Sequence, residues 1–128
     1  MPGYLIDIEQ KTLENENFRE VLFTAPHSQL VVMSLQPGEE IGLETHGDVD
    51  QFIRVESGTG KAILNGEEKA LSDGSAVVIP AGTEHNVINT SQTEALKLYT
   101  IYSPAEHPDG TTHKTKVEAD EYEKKHHG

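Results

Sequence analysis

The sequence contains no cysteine. Disulfides, thiolate metal sites and cysteine nucleophiles are therefore excluded, and a cysteine-free chain fits a reducing compartment. Long apolar runs are also missing, since runs such as residues 76–79 are far shorter than the roughly 20 residues that span a bilayer. The first ten residues show no basic segment followed by an apolar stretch, so we expect no signal peptide. These absences predict a cytoplasmic protein.

Positive charge is scarce in this chain. Ten lysines and arginines face 22 aspartates and glutamates, and the formal net charge is −12. A basic face that could neutralise phosphates is missing, so we expect neither nucleic acid nor a membrane surface as a partner. Acidity of this kind bears on solubility and association rather than on fold. The partner that we expect is a small molecule.

Short runs rich in Val, Ile, Leu, Phe and Tyr alternate with turn signals through the middle of the chain. Many short strands at this spacing predict an all-β sandwich or barrel. Asn65 and Gly66 lie between two such runs and give the strongest hairpin signal, because both residues tolerate the positive φ of a type I′ turn. The predicted strands cover residues 18–25, 28–36, 49–57, 60–65, 75–80, 85–89 and 95–103.

The C-terminal tail is the one helical candidate. Thr115 is followed three residues later by Glu118, which is a capping-box pattern. The tail holds almost no apolar residues, so it is predicted to form a short surface helix or a disordered end. We therefore predict one domain over residues 1–104, followed by a polar connector and an acidic tail over residues 105–128. Whether the connector folds over the mouth of the barrel is left open by the sequence.

Two segments carry polar side chains where strand alternation would bury them. Glu44 and His46 share one face of a strand predicted over residues 40–46, because side chains alternate along a strand. Gln51 begins the next predicted strand, with Arg54 on its opposite face. If the two strands form a hairpin around residues 47–50, the three polar side chains converge near its base.

A histidine and a carboxylate on adjacent strands are two of the three ligands of a facial metal triad. His85 is the obvious third donor, since it directly follows a turn and begins another predicted strand. Buried carboxylates and imidazoles are costly unless they are paired or bound to a metal. A bound cation would therefore offset the free-energy cost of burying these residues inside the domain.

The spacing of these residues resembles that of the cupins, a family with two sequence motifs. The first motif is a glycine, a histidine pair, a glutamate and a second glycine, and its frame is filled here by Gly38, Glu44, His46, Gln51 and Gly58. The second motif is filled without a gap by Gly74, Pro80, Gly82, His85 and Asn89. The resemblance covers roughly residues 38–89. It implies a double-stranded β-helix, the jelly-roll barrel of the cupins.

The resemblance also implies one divalent metal ion, Fe, Mn, Ni or Zn, held by Glu44, His46, Gln51 and His85. Two of these positions depart from the family pattern, because Glu44 replaces the usual first histidine and Gln51 replaces the usual glutamate. The total charge of the ligands is still −1, since the set keeps one carboxylate, now at residue 44 in place of residue 51. The amide of Gln51 is the weakest of the four donors.

Two classes of function fit these residues. The first is a divalent-metal-dependent enzyme acting on a small polar molecule, of dioxygenase or of isomerase or lyase type. The sequence indicates no catalytic base, and the set of ligands resembles that of phosphomannose isomerases in composition only. The alternative is a non-catalytic small-molecule or metal-binding module, or a scaffold whose dimerisation matters more than its pocket. Because cupins commonly pair through sheet edges, we expect a homodimer.

Overall fold

A computed structural model describes residues 3–127. Within this range the chain forms nine strands and two helices. In chain order they are α1 (Ile8–Glu14), β1 (Arg19–Thr24), β2 (Gln29–Leu35), β3 (Asp50–Ser57), β4 (Gly60–Leu64), β5 (Glu67–Leu71), β6 (Ala76–Ile79), β7 (His85–Asn89), β8 (Leu96–Ser103), β9 (Thr112–His113) and α2 (Lys116–His127).

The strands form two antiparallel sheets with the hydrophobic core between them. The larger sheet has the order β6-β3-β8-β2-β1-β9, and the smaller has the order β5-β4-β7. Inward side chains of both sheets share one core, to which β3 contributes Ile53 and Val55, β4 contributes Ala62 and β7 contributes Val87. This arrangement confirms the predicted all-β jelly-roll barrel.

Strand β3 shows why alternation predicted the inward face correctly. Gln51, Ile53 and Val55 are buried, whereas Arg54 between them is only half-buried on the other face. The predicted hairpin at Asn65 and Gly66 is also confirmed, since both residues have positive φ values, 49° and 82°.

Three elements were not predicted from the sequence, namely β5, the two-residue strand β9 and helix α1. Strand β5 exposes all of its residues except Leu71, so it carries no alternation signal. Helix α1 begins after Asp7, whose Oδ1 accepts a hydrogen bond from the backbone N–H of Gln10 at 3.1 Å. Only Thr12 of this short helix is buried, so it shows no apolar stripe. The expectation that the tail is the one helical candidate was therefore wrong, although the tail does form α2.

The predicted hairpin around residues 47–50 was also wrong. Residues 40–46 form no regular strand, because Gly42 has a φ of 112° that interrupts the extended backbone. Glu44 instead pairs with His85 of β7 through two backbone hydrogen bonds of 2.8 Å. Strand β3 lies between β6 and β8 in the other sheet. Glu44 and Gln51 therefore project from opposite walls of the barrel.

The connector after β8 packs against the barrel rather than extending away from it. Strand β9 pairs with β1, and Ala119 of α2 is 2% exposed within the core. The predicted domain boundary after residue 104 stays a prediction. Across the part of the chain that the structure describes, neither helix has the length and apolar character that crossing a bilayer requires.

The backbone passes so close to Gly58 that a side chain at this residue should destabilise the fold. A Cβ at this residue would lie 2.7 Å from the carbonyl oxygen of Ala95, and φ is 111°. We expect Gly58→Ala to lower the free energy of unfolding by more than about 3 kcal/mol, because strain and a backbone clash combine. The matched control is Gly66→Ala, where φ is 82° but no atom lies within 4 Å of the added Cβ. It should cost about 1 kcal/mol. Urea unfolding measures both, and equal losses would contradict this account.

Candidate metal centre

Three side chains with metal-ligating atoms converge at one end of the barrel. One atom each from Glu44, His46 and His85 lies within 4.8 Å of the other two. The backbone pairing of Glu44 with His85 brings the two chain segments together. The turn before β7 holds His46 in position, because the N–H of Gly82 donates a hydrogen bond of 2.7 Å to the carbonyl oxygen of His46. The structure thus unites three of the four residues that the sequence indicated.

Glu44 and His46 contact each other within the cluster. Nε2 of His46 lies 2.8 Å from Oε2 of Glu44. Neighbouring ligands of an octahedral ion with bonds of about 2.1 Å lie about 3 Å apart. The observed separation is close to that value. The rings of His46 and His85 are 5.3 Å apart between centroids.

Each histidine has an acceptor beside its Nδ1 atom. Nδ1 of His85 lies 2.9 Å from the carbonyl oxygen of Thr83, and Nδ1 of His46 lies 2.9 Å from Oε2 of Glu106. Metal-binding histidines almost always donate the second ring N–H to a carbonyl or carboxylate, which fixes the tautomer and leaves the other nitrogen to bind the ion. Both histidines are therefore set up to bind through Nε2.

His46 is the most strongly perturbed of these groups. Glu106 and then Glu44 raise its pKa to about 10, which outweighs the opposing effect of burial. The imidazole therefore takes up a proton readily between the two carboxylates. A cation that binds at Nε2 takes the place of that proton, because a ligating histidine must be neutral at the ligating nitrogen.

Gln51 supplies a buried oxygen that lacks a donor. Its side chain is 3% exposed, and Nε2 donates a hydrogen bond of 3.0 Å to Oγ1 of Thr100. Oε1 is buried without a hydrogen-bond partner among the described residues. Gln51 lies opposite Tyr102 on the neighbouring strand, and the ring of Tyr102 is 6.2 Å from that of His46. A buried acceptor without a donor is costly unless a cation satisfies it. Direct ligation by Gln51 stays a prediction.

The donor set fits a first-row divalent ion. Two imidazoles and one carboxylate form the facial triad that suits Fe(II), and the same groups also bind Mn, Ni and Zn. An octahedral ion bound by three or four protein ligands keeps open positions for a substrate. The cluster of Glu44, His46 and His85 could therefore bind a metal ion and a small molecule together.

Glu106 is a site residue that the sequence did not reveal. Its position depends on Gln29, which is 1% exposed in the barrel wall. Nε2 of Gln29 donates a hydrogen bond of 2.7 Å to the carbonyl oxygen of His107. Oε1 of Gln29 accepts bonds from the backbone N–H groups of Glu106 and His107, at 3.2 and 3.0 Å. The connector therefore does fold over the barrel at the cluster of Glu44, His46 and His85. No local motif marks a contact between residues so far apart in sequence.

A cavity of about 780 Å³ opens beside the cluster. This volume lies within the range of sites that bind small molecules. Its lining comes from the segment before β3, from the connector and from α2, namely residues 41–46, residues 106–108, Lys116, Asp120, Tyr122 and Glu123.

The role of Glu106 can be tested by removing its charge. We expect Glu106→Gln to weaken metal binding about tenfold, because the carboxylate beside Nδ1 makes His46 a better ligand. Competition with a chromogenic chelator measures the affinity. Asp109→Asn removes the same charge from an exposed position of the connector and should leave the affinity within twofold. Equal effects of the two substitutions would contradict the role of Glu106.

Comparison with known proteins agrees with this architecture. The chain is 52% identical to protein L612 of Acanthamoeba polyphaga mimivirus over 111 residues, which are 84% of this chain and 69% of that protein. It is 49% identical to YrkC of Bacillus subtilis over 123 residues, which are 91% of this chain and 65% of that protein. The chain thus spans about two thirds of the length of these relatives.

A solved structure shares nearly the whole fold. The crystal structure of BH2720 from Bacillus halodurans superposes with a TM-score of 0.91 at 44% identity, and the match covers 94% of this chain and 95% of that one. The cupin domain family (Cupin_2) matches residues 31–102, a range that contains Glu44, His46, Gln51 and His85. With its jelly-roll barrel and its cluster of histidine and glutamate, the chain belongs to the cupin family.

Proposed function

We propose that this cupin is a divalent-metal-dependent enzyme that acts on a small polar molecule. Glu44, His46 and His85 would hold the ion, with Oε1 of Gln51 as a fourth, weaker ligand. The observation that carries the proposal is the convergence of the three ligating atoms within 4.8 Å, next to a cavity of about 780 Å³. The ion would supply a Lewis acid with open positions for a substrate or for O2.

The residues of the chain have distinct tasks in this proposal. Glu106 holds the proton on Nδ1 of His46, so that Nε2 points toward the cluster. Tyr102 is 2% exposed, and burial raises the pKa of its phenol, so the hydroxyl keeps its proton. Tyr102 therefore presents a neutral ring beside His46. The connector and α2 contribute residues to the lining of the cavity.

The set of ligands favours dioxygenase chemistry over isomerisation. Two histidines and one carboxylate with open positions are typical of non-haem Fe(II) oxygenases. Isomerisation of a phosphosugar would need cations for the phosphate, and Lys116 is the one lysine or arginine in the described cavity lining. Arg54 lies on the outer face of β3 and is not part of the cavity lining, so it could not bind a phosphate there.

The metal content of the purified protein tests the proposal. Protein prepared without a chelator or an affinity tag should carry about one equivalent of Fe, Mn, Ni or Zn by plasma mass spectrometry, because three ligands are already brought together. The variant Glu44→Ala/His85→Ala should carry less than about a tenth of that. His27→Ala removes an exposed histidine outside the cluster and should keep the metal.

The same preparations separate an enzyme from a binding module. Substrate-dependent O2 consumption by the iron form, lost in the double variant, would support a dioxygenase. Metal at full occupancy without turnover of any screened substrate would favour the non-catalytic module. If the wild type takes up no metal even after reconstitution, the proposal is wrong.

The variant Gln51→Met tests whether Gln51 binds the metal, and its effect on metal affinity can be measured separately from its effect on stability. Methionine keeps the approximate volume but removes the buried oxygen, so metal affinity should fall about tenfold while binding persists. The metal-free variant should unfold within about 1 kcal/mol of the metal-free wild type, because the lost hydrogen bond to Thr100 is offset by removal of an unpaired oxygen. Unchanged metal affinity would exclude Gln51 as a ligand.

A further inference from the structure

A buried histidine joins the C-terminal part of the chain to the barrel. His113 of β9 is 5% exposed and lies opposite Arg19 of β1, which is 4% exposed. Nδ1 of His113 is 3.5 Å from Nη1 of Arg19. The guanidinium group of an arginine only donates hydrogen bonds and keeps its charge in proteins. The contact therefore requires a neutral His113 whose Nδ1 carries no proton.

The charge of Arg19 is not compensated at close range. Within the described part of the chain, Arg19 forms no ion pair with a carboxylate. Its Nε is buried without a hydrogen-bond partner, and its guanidinium carbon lies 5.3 Å from the centroid of the Phe18 ring. A proton added to His113 would thus place a second positive charge beside an uncompensated buried cation, which is costly.

Helix α2 depends on His113 for part of its contact with the barrel. The ring of Tyr122 on α2 packs against that of His113, with 5.1 Å between centroids. Of the described residues of α2, only Ala119 belongs to the hydrophobic core, whereas Val117 is 65% exposed. An element with so few buried apolar contacts opens locally at a lower free energy than a packed sheet does. The attachment of α2 is therefore sensitive to the state of His113.

We propose that Arg19 and His113 form a pH-sensitive latch, which holds β9 and α2 against the barrel at neutral pH and releases them in acid. Residues of α2 line the cavity beside the candidate metal centre. Release would remove that part of the lining and widen the approach to the centre. The latch contains none of the candidate ligands, so it can be tested whether or not a metal is bound.

The surroundings of His113 favour its neutral form. Burial and then Arg19 lower its pKa below the ordinary value of 6.5, and together they outweigh two carboxylates of α2 that raise it, Glu118 and Glu123. Glu121 and Lys125 of α2 line a second, smaller cavity together with His113. The released segment binds the proton more readily than the latched one. The latched form is therefore fully stable above about pH 6.5 and loses stability as the pH falls below that value.

Hydrogen exchange in the full chain, compared at pH 7 and pH 5, tests the latch. The protection factor of the α2 amides, which corrects for the pH dependence of chemical exchange, should fall at least about threefold in acid. In His113→Phe the ring contact with Tyr122 is kept but nothing titrates, so this fall should disappear. The matched control is His27→Phe, which replaces an exposed histidine outside the segment and should show the same fall as the wild type.

The variant Arg19→Met tests the other half of the latch, because it removes the cation and keeps an apolar side chain. By NMR titration the pKa of His113 should be higher in this variant than in the wild type, and the fall in α2 protection should shrink below about twofold. An unchanged pKa of His113 would overturn the proposal, and this result does not depend on whether His113→Phe folds. An acid-induced fall that persists in His113→Phe, or one of equal size in β2, β8 and α2, would also contradict it.

Discussion

His46 lies between two carboxylates, with Glu44 2.8 Å from Nε2 and Glu106 2.9 Å from Nδ1. Two separate parts of the chain must meet for this to happen, the irregular segment that carries Glu44 and His46 and the connector after β8 that carries Glu106. The start of β7 brings His85 to the same cluster. Charged groups in a partly buried position are costly unless they are paired or bind a cation. The contacts described next hold Glu44, His46 and Glu106 in these positions.

Each wall of the site is held by contacts distant in sequence. The two hydrogen bonds between Glu44 and His85 tie the irregular segment to the smaller sheet. Gln29 uses both ends of its amide to hold the connector, so that Glu106 reaches His46. Buried amides that satisfy backbone groups in this way position a segment and cost little when fully paired. Glu44, His46 and His85 are therefore held by contacts between distant segments, and the connector and α2 line the cavity beside them.

Much of the barrel and of the candidate centre could be predicted from the sequence. Alternation placed Gln51 and Ile53 on one face, and the pair Asn65-Gly66 located a turn, because these are local properties of the backbone. The spacing of the two motifs singled out Glu44, His46 and His85, although the reason first given for their approach, a hairpin with β3, was wrong. Gly42 breaks that strand, and its effect on pairing depends on Asn86, whose Oδ1 accepts a hydrogen bond from the Gly42 N–H at 2.8 Å.

Glu106 and the wall of the cavity could not be predicted in the same way. Glu106 is one of many acidic residues in a polar connector, and only the side chain of Gln29, 77 residues earlier, distinguishes it. Helix α2 was recognisable from its cap at Thr115, but its burial depends on the small side chain of Ala119 fitting the core. Contacts that arise from three-dimensional packing leave no periodic signal along a chain.

Anomalous diffraction from a crystal grown with Mn2+ would locate the ion that Glu44, His46 and His85 are expected to bind. The account predicts a single strong anomalous peak about 2.0–2.3 Å from a carboxylate oxygen of Glu44 and from Nε2 of both His46 and His85. Oε1 of Gln51 should point at the same peak. A peak bound through Nδ1 of either histidine, a peak remote from these residues, or no peak at saturating Mn2+ would contradict the account.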